Sequence, residues 1–209
     1  MSDIKDKDLE VRNLDIEVRV YGDDEEKRIE GYAAVFNQST QLGNVEEVVM
    51  PGAFEGRLND DVVALFNHDQ NMPLARSRNG EGTLKLEVDE VGLRYSFTLG
   101  NQSYAKDLAE SIKRGDVSGS SFGFVVREDE YERKSDGGYL RKIHSVSRLA
   151  DISPVLTPAY PQTSVKLRDA ISAMEEEDQV VEQPTSPTLT PKRNIAEALL
   201  SIHQHNSNQ

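Results

Sequence analysis

The sequence predicts an α+β fold: a β-rich, mostly antiparallel, barrel-like domain with a few helices, followed by a disordered C-terminal tail. Three observations carry this. Strand-type alternation recurs from Leu14 to Leu156 with mostly short links, and short links favour antiparallel or mixed sheets over the long crossovers of a doubly wound fold. One clear amphipathic helix pattern interrupts the strands, at about Tyr104 to Lys113. After about Arg168 the apolar periodicity gives way to acidic and Pro/Thr-rich sequence, which cannot bury enough apolar surface to order itself. The expected division is a loose polar segment over residues 1–12, a folded domain over 13–168 and a flexible tail over 169–209.

Each element has its own signal. Leu14, Ile16, Val18 and Val20 alternate with polar neighbours as one half-buried strand. A charged turn over Gly22 to Lys27 leads to a returning strand at Ile29 to Phe36. Met50-Pro51-Gly52-Ala53-Phe54 opens a short expected helix ending near Leu58, with the proline in its first turn. Asp61 to Phe66 is an apolar strand, and the runs Leu84 to Val88 and Leu93 to Leu99 form a hairpin across Asp89-Glu90-Val91-Gly92. Ser103 is the expected cap of the central helix, whose Tyr104, Leu108 and Ile112 share a face, and Gly115 its stop. Strands follow at Ser121 to Arg127, Tyr139 to Val146 and Leu149 to Leu156, and prolines 154, 158 and 161 then break regular structure. In the tail, Glu175-Glu176-Glu177-Asp178 is an acidic block and Gln183 to Pro191 a linker. The weak helical pattern from Asn194 to His203 fits a frayed end better than a peptide that orders on a partner.

Composition excludes several classes of function. A net charge of -13 repels phosphate backbones and argues against nucleic-acid partners. The absence of cysteine removes disulfides, thiolate metal sites and a thiol nucleophile. No apolar run is long enough to span a bilayer and the N-terminus has no apolar signal core, so the expectation is a soluble, non-secreted protein without membrane contact. No histidine pair outside the tail has metal-motif spacing, and no Gly-rich run ends in Gly-Lys-Ser/Thr. No metal and no cofactor are expected.

The chemistry-bearing residues are a serine, a histidine and an acid. Gly119-Ser120-Ser121-Phe122-Gly123-Phe124 places serines between glycines at the start of an apolar strand. Ser118, Ser120 and Ser121 compete for the role; alternation puts Ser121 and Gly123 on one face and Phe122 and Phe124 on the core side, favouring Ser121 over Ser120. The plain alternative is a hairpin strand with glycine bulges. His68 follows an apolar strand, between Asn67 and Asp69, where an imidazole can act as a base; on position alone, a polar strand end is the better reading. Asp151 lies inside the apolar run Leu149 to Leu156 and needs a partner there. That partner is an imidazole or a structural arginine such as Arg148, and His144 is a rival third member. His203 and His205 fall in the tail.

Taken in order, these motifs resemble the prohead (capsid maturation) serine proteases of tailed bacteriophages with HK97-type capsids. The resemblance runs from about residue 14 to 168. It rests on Ile29 to Phe36, Val49 to Phe54, Leu65-Phe66-Asn67-His68-Asp69, Asp116 to Phe124, and Asp151 to Val155 followed by Pro158-Ala159-Tyr160-Pro161. It implies a serine endopeptidase related in fold to the herpesvirus assembly protease. Such an enzyme acts in the host cytoplasm, inside the immature capsid, on a scaffold protein or the scaffolding segment of the major capsid protein, and on itself. Self-association is a further expectation. The family's histidine, serine and acid fall on His68, Ser121 and Asp151, and the herpesvirus enzyme's histidine keeps His144 as the rival. The loop Thr157 to Pro161 is the candidate for oxyanion binding, and residues 170–209 for a packaging arm or a self-cleaved piece. The competing expectation is a catalytically inactive, scaffold-binding assembly protein of the same fold.

Overall fold

The computed structural model describes residues 8–14, 18–22, 26–156 and 169–174. The chain divides into one unit over Met1–Asp169 and a second over Ala170–Gln209. In the second, residues 170–174 are described and are helical. The acidic block, the Pro/Thr linker, the Asn194 to His203 pattern and the Thr157 to Pro161 loop lie outside the described residues.

The strands, in chain order, are β1 (Glu10–Leu14), β2 (Arg19–Tyr21), β3 (Arg28–Val35), β4 (Ser39–Leu42), β5 (Val45–Val49), β6 (Val62–Phe66), β7 (Asp69–Arg78), β8 (Glu81–Gly82), β9 (Lys85–Val88), β10 (Gly92–Thr98), β11 (Gly119–Arg133) and β12 (Tyr139–Val155). The helix α1 (Ser103–Arg114) separates β10 from β11. One eight-stranded sheet runs β1-β11-β12-β6-β7-β8, with the β4–β5 hairpin joined through β5 to β12, and a four-stranded sheet runs β2-β3-β10-β9. The β-rich α+β class therefore holds. The described strands form two open sheets, however, and not a closed barrel. Pairing is mostly antiparallel, but β12 runs parallel to both β5 and β6.

The core is built from the inward faces. Phe122 and Phe124 stack at 4.6 Å, and Phe54 meets Phe122 edge-on at 5.8 Å. Around them lie Ile29, Leu93, Leu108, Leu149 and Ile152, all essentially inaccessible. Burying such side chains contributes about 1.5–3 kcal/mol each relative to exposure.

Several expectations are corrected. The loose segment 1–12 is not loose at its end: Glu10 to Arg12 belong to β1, paired with β11. The alternation from Leu14 to Val20 is split between β1 and β2, which lie in different sheets. The short helix after Met50 is a chain of turns, in which Ala53, Glu55, Arg57 and Asp60 N–H groups donate to Met50, Gly52, Phe54 and Arg57 carbonyls. Gly52 (φ 90) and Gly56 (φ 72) sit at the positive-φ corners that such turns require and a helix cannot use. In α1 the cap position is Gln102, and Ser103 is the first helical residue. Gly115 stops the helix as expected, at φ 81. The two strands expected on either side of residue 147 are one strand, β12, and Pro154 is paired within it opposite Ser120.

Candidate active site

Three neighbouring strands of the large sheet bring the predicted residues together. β11 carries Ser121, β12 carries Asp151 and Ser153, and the turn leaving β6 carries His68. The register sets Ser121 opposite Ser153 and Gly123 opposite Asp151. Asp151 in turn stands beside Val63 of β6.

His68 is presented by the β6–β7 hairpin. Phe66 pairs with Asp69, leaving Asn67 and His68 as a two-residue loop. Such a loop in the type I′ form needs positive φ at both positions, and Asn67 (φ 52) and His68 (φ 59) supply it. The conformation is unfavourable for a histidine, so it has to be held. The Asn67 N–H donates to Pro154 O at 3.1 Å. Leu156 N–H donates to Asn67 Oδ1 at 3.0 Å. The His68 N–H donates to Ser153 Oγ at 3.2 Å. All three bonds tie the turn to the end of β12.

The imidazole bridges the other two groups. His68 Nδ1 is 2.5 Å from Asp151 Oδ1, and Nε2 is 2.5 Å from Ser121 Oγ. A carboxylate only accepts, so Nδ1 carries the proton and the Nε2 lone pair faces the serine hydroxyl. The ring is about one quarter exposed, whereas Ser121 is fully buried. Ser121 Oγ has a second acceptor in reach, the Arg12 carbonyl of β1, at 3.0 Å.

The neighbouring candidates separate cleanly. Ser120 points to the opposite face, where its hydroxyl meets the buried Tyr95 hydroxyl at 2.8 Å. Burial pushes the Tyr95 phenol well above its ordinary value, so it stays neutral there. His144 is not brought to the site. Its Nε2 lies 3.2 Å from Glu130 Oε2, on the polar ribbon formed by the outer halves of β11 and β12. The position beside His68 Nδ1 is occupied by Asp151 instead. Arg148 is exposed and lines a groove of about 570 Å³ together with His68, Asp151, Val11, Val63 and Leu65.

Gly123 stands where a side chain cannot. A Cβ at this position would collide with Asp151 Oδ2. The glycine makes room for the carboxylate. Sequence reasoning missed Ser153 altogether. Its signal was available: Ser153 lies two residues from Asp151 on one strand, hence on the same face.

The model of one protein family, described as caudovirus prohead serine protease, matches residues 7–179. The chain belongs to that family. Among curated relatives, the prohead protease of Enterobacteria phage HK97 is 31% identical over 165 residues, covering 76% of this chain and 68% of the relative. Among solved structures, the bacteriophage T4 capsid assembly protease aligns with a TM-score of 0.44 at 12% identity, over 71% of this chain and 99% of that one. Membership of the prohead serine protease family makes the chain a protease by descent, and the match reaches through β1 and the whole of the site strands.

Proposed function

We propose that this chain is a serine endopeptidase of capsid maturation, with Ser121 as nucleophile, His68 as general base and Asp151 as the group that orients it. The observation that carries the reading is the imidazole of His68, within 2.5 Å of a hydroxyl on one side and of a carboxylate on the other. On this reading His68 Nε2 takes the Ser121 proton as Oγ attacks the scissile carbonyl, and later returns it to the leaving amine. Asp151 holds the ring in the required tautomer and stabilises the imidazolium.

The buried state of Ser121 adds a step. Its hydroxyl has one proton and two acceptors, Nε2 and the Arg12 carbonyl. Only donation to Nε2 prepares attack. The substrates on this reading are scaffold protein or the scaffolding segment of the major capsid protein, and the chain itself, inside the prohead in the host cytoplasm. The fold is on the same reading a relative of the herpesvirus assembly protease.

The test is a phage carrying Ser121→Ala. It is expected to assemble proheads whose capsid or scaffold proteins stay at precursor length, with the variant protein folded and present. Normal processing in that phage would overturn the reading in favour of an assembly factor without catalysis.

A further inference from the structure

We propose that Ser153 is a positioning residue that couples the backbone of His68 to the side chain of Asp151. The proposal rests on the reading of His68 as the base, and it extends the site from three residues to four.

Ser153 is fully buried on β12, on the face that carries Asp151 and directly opposite Ser121. Its hydroxyl serves three groups at once. It accepts the His68 N–H at 3.2 Å and donates to Asp151 Oδ1 at 3.1 Å. It also lies 3.3 Å from His68 Nδ1. The direction of these bonds is fixed by chemistry. The backbone N–H can only donate, and the carboxylate only accepts, so the single hydroxyl proton goes to Asp151. Asp151 Oδ1 thereby receives two donors, Nδ1–H and the Ser153 hydroxyl.

Each contact opposes a particular departure from the working geometry. His68 sits at positive φ, a conformation with a tendency to relax. The bond from its N–H to Ser153 resists that relaxation. An aspartate carboxylate is free to turn about its terminal torsion, and a second donor on Oδ1 fixes that oxygen toward the ring. One hydroxyl thus locks both ends of the Asp151–His68 contact to the same point on β12.

Threonine and valine at position 153 differ only in the hydroxyl, so the test compares Ser153→Thr with Ser153→Val, beside Ser153→Ala, in the full chain. Two quantities are read: the Nδ1–H proton resonance of His68 by NMR, and the rate of precursor processing in phage carrying each variant. Ser153→Val and Ser153→Ala are expected to lose or broaden that resonance. They are expected to slow processing about 10- to 100-fold, the usual weight of a hydrogen bond to a charged group. Ser153→Thr is expected to retain the resonance and most of the rate. Equal resonances in the threonine and valine variants overturn the proposal, whatever happens to processing. The NMR arm reads the imidazole and not cleavage. A phage with Ser121→Ala that processes normally would therefore remove the protease reading and leave the coupling itself measurable.

Discussion

Gly123 ties together sequence, packing and chemistry more tightly than any other position near the site. It stands opposite Asp151 in the β11–β12 register, and a methyl group there would drive into Oδ2 of that carboxylate. Asp151 has a short side chain whose only escape is to turn away from His68. Gly123→Ala is therefore expected to leave the fold nearly intact, because the atom displaced is the tip of one side chain. Processing is expected to fall by about 100-fold or more, since the orienting carboxylate is lost to the base. A thermal melt beside a processing time course checks this; a variant that melts normally and processes at the wild-type rate defeats it. The alternation of the Ser120–Phe124 run did separate the face of Ser121, which meets His68, from the face of Phe122 and Phe124, although both faces are buried. It could not reveal why a glycine follows, because that reason lies on another strand. For Ser153 the limit was only half present: its partner Asp151 is 2 residues away on the same strand and could have been read, whereas His68 is 85 residues away.

At the level of elements, β1 shows why polar sequence misleads. Glu10 and Arg12 read as a loose charged end, yet both are buried. Arg12 Nε and Nη2 donate to Glu47 at 2.6 and 2.9 Å, and Arg12 also pairs with Glu10. Arg141 donates to Glu10 and to Glu47, each at 2.8 Å. Two arginines and two glutamates from β1, β5 and β12 thus partner one another inside the molecule, Arg141 Nε also donates to Asp129 of β11 at 2.8 Å, and the Arg12 guanidinium lies 5.5 Å above the Phe124 ring. No periodicity announces such a pairing; it is visible only once three distant strands meet. The β4–β5 hairpin, absent from the expectations, did carry a signal in Gly43-Asn44, a two-residue loop between paired Leu42 and Val45. Arg141→Leu strands two buried carboxylates on a single guanidinium and is expected to destabilise by about 3–5 kcal/mol in urea unfolding. A loss under about 1 kcal/mol would show the cluster to be dispensable. The cluster also predicts acid sensitivity. Burial pushes the Glu10 carboxyl up, but the Arg141 and Arg12 guanidiniums outweigh it and hold the group below its ordinary value. A depressed carboxyl contributes stability above its unfolded value, and that contribution drains as pH falls through the folded value. Stability is thus expected to fall below the ordinary carboxylate range, and Glu10→Gln to flatten that part of the urea-midpoint profile. An unchanged slope would contradict it.

For the whole molecule, the core residues among the described ones all precede Leu156, and the sequence composition shifts near Arg168. A boundary expectation of that kind rests on bulk composition, which needs no knowledge of contacts. The arrangement into two open sheets was not readable, because strand order depends on pairings such as the parallel β12–β5 and β12–β6 ladders between segments about 90 residues apart. The division also separates two tasks. Residues up to Asp169 carry the fold and the site, whereas residues 170–209 carry an acidic block, a Pro/Thr stretch and a short apolar stripe of Ile195, Ala198, Leu199 and Ile202. On its own that weak pattern fits a frayed end; it is the family resemblance that makes residues 170–209 as a whole a candidate packaging arm. We therefore expect a chain ending at Asp169 to melt within a few degrees of the full chain but to be missing from purified proheads, whose capsid proteins then stay at precursor length. The wild-type amount of truncated protein inside proheads would show that packaging resides in the folded unit. Loss of the melting transition would show instead that the last forty residues complete the fold.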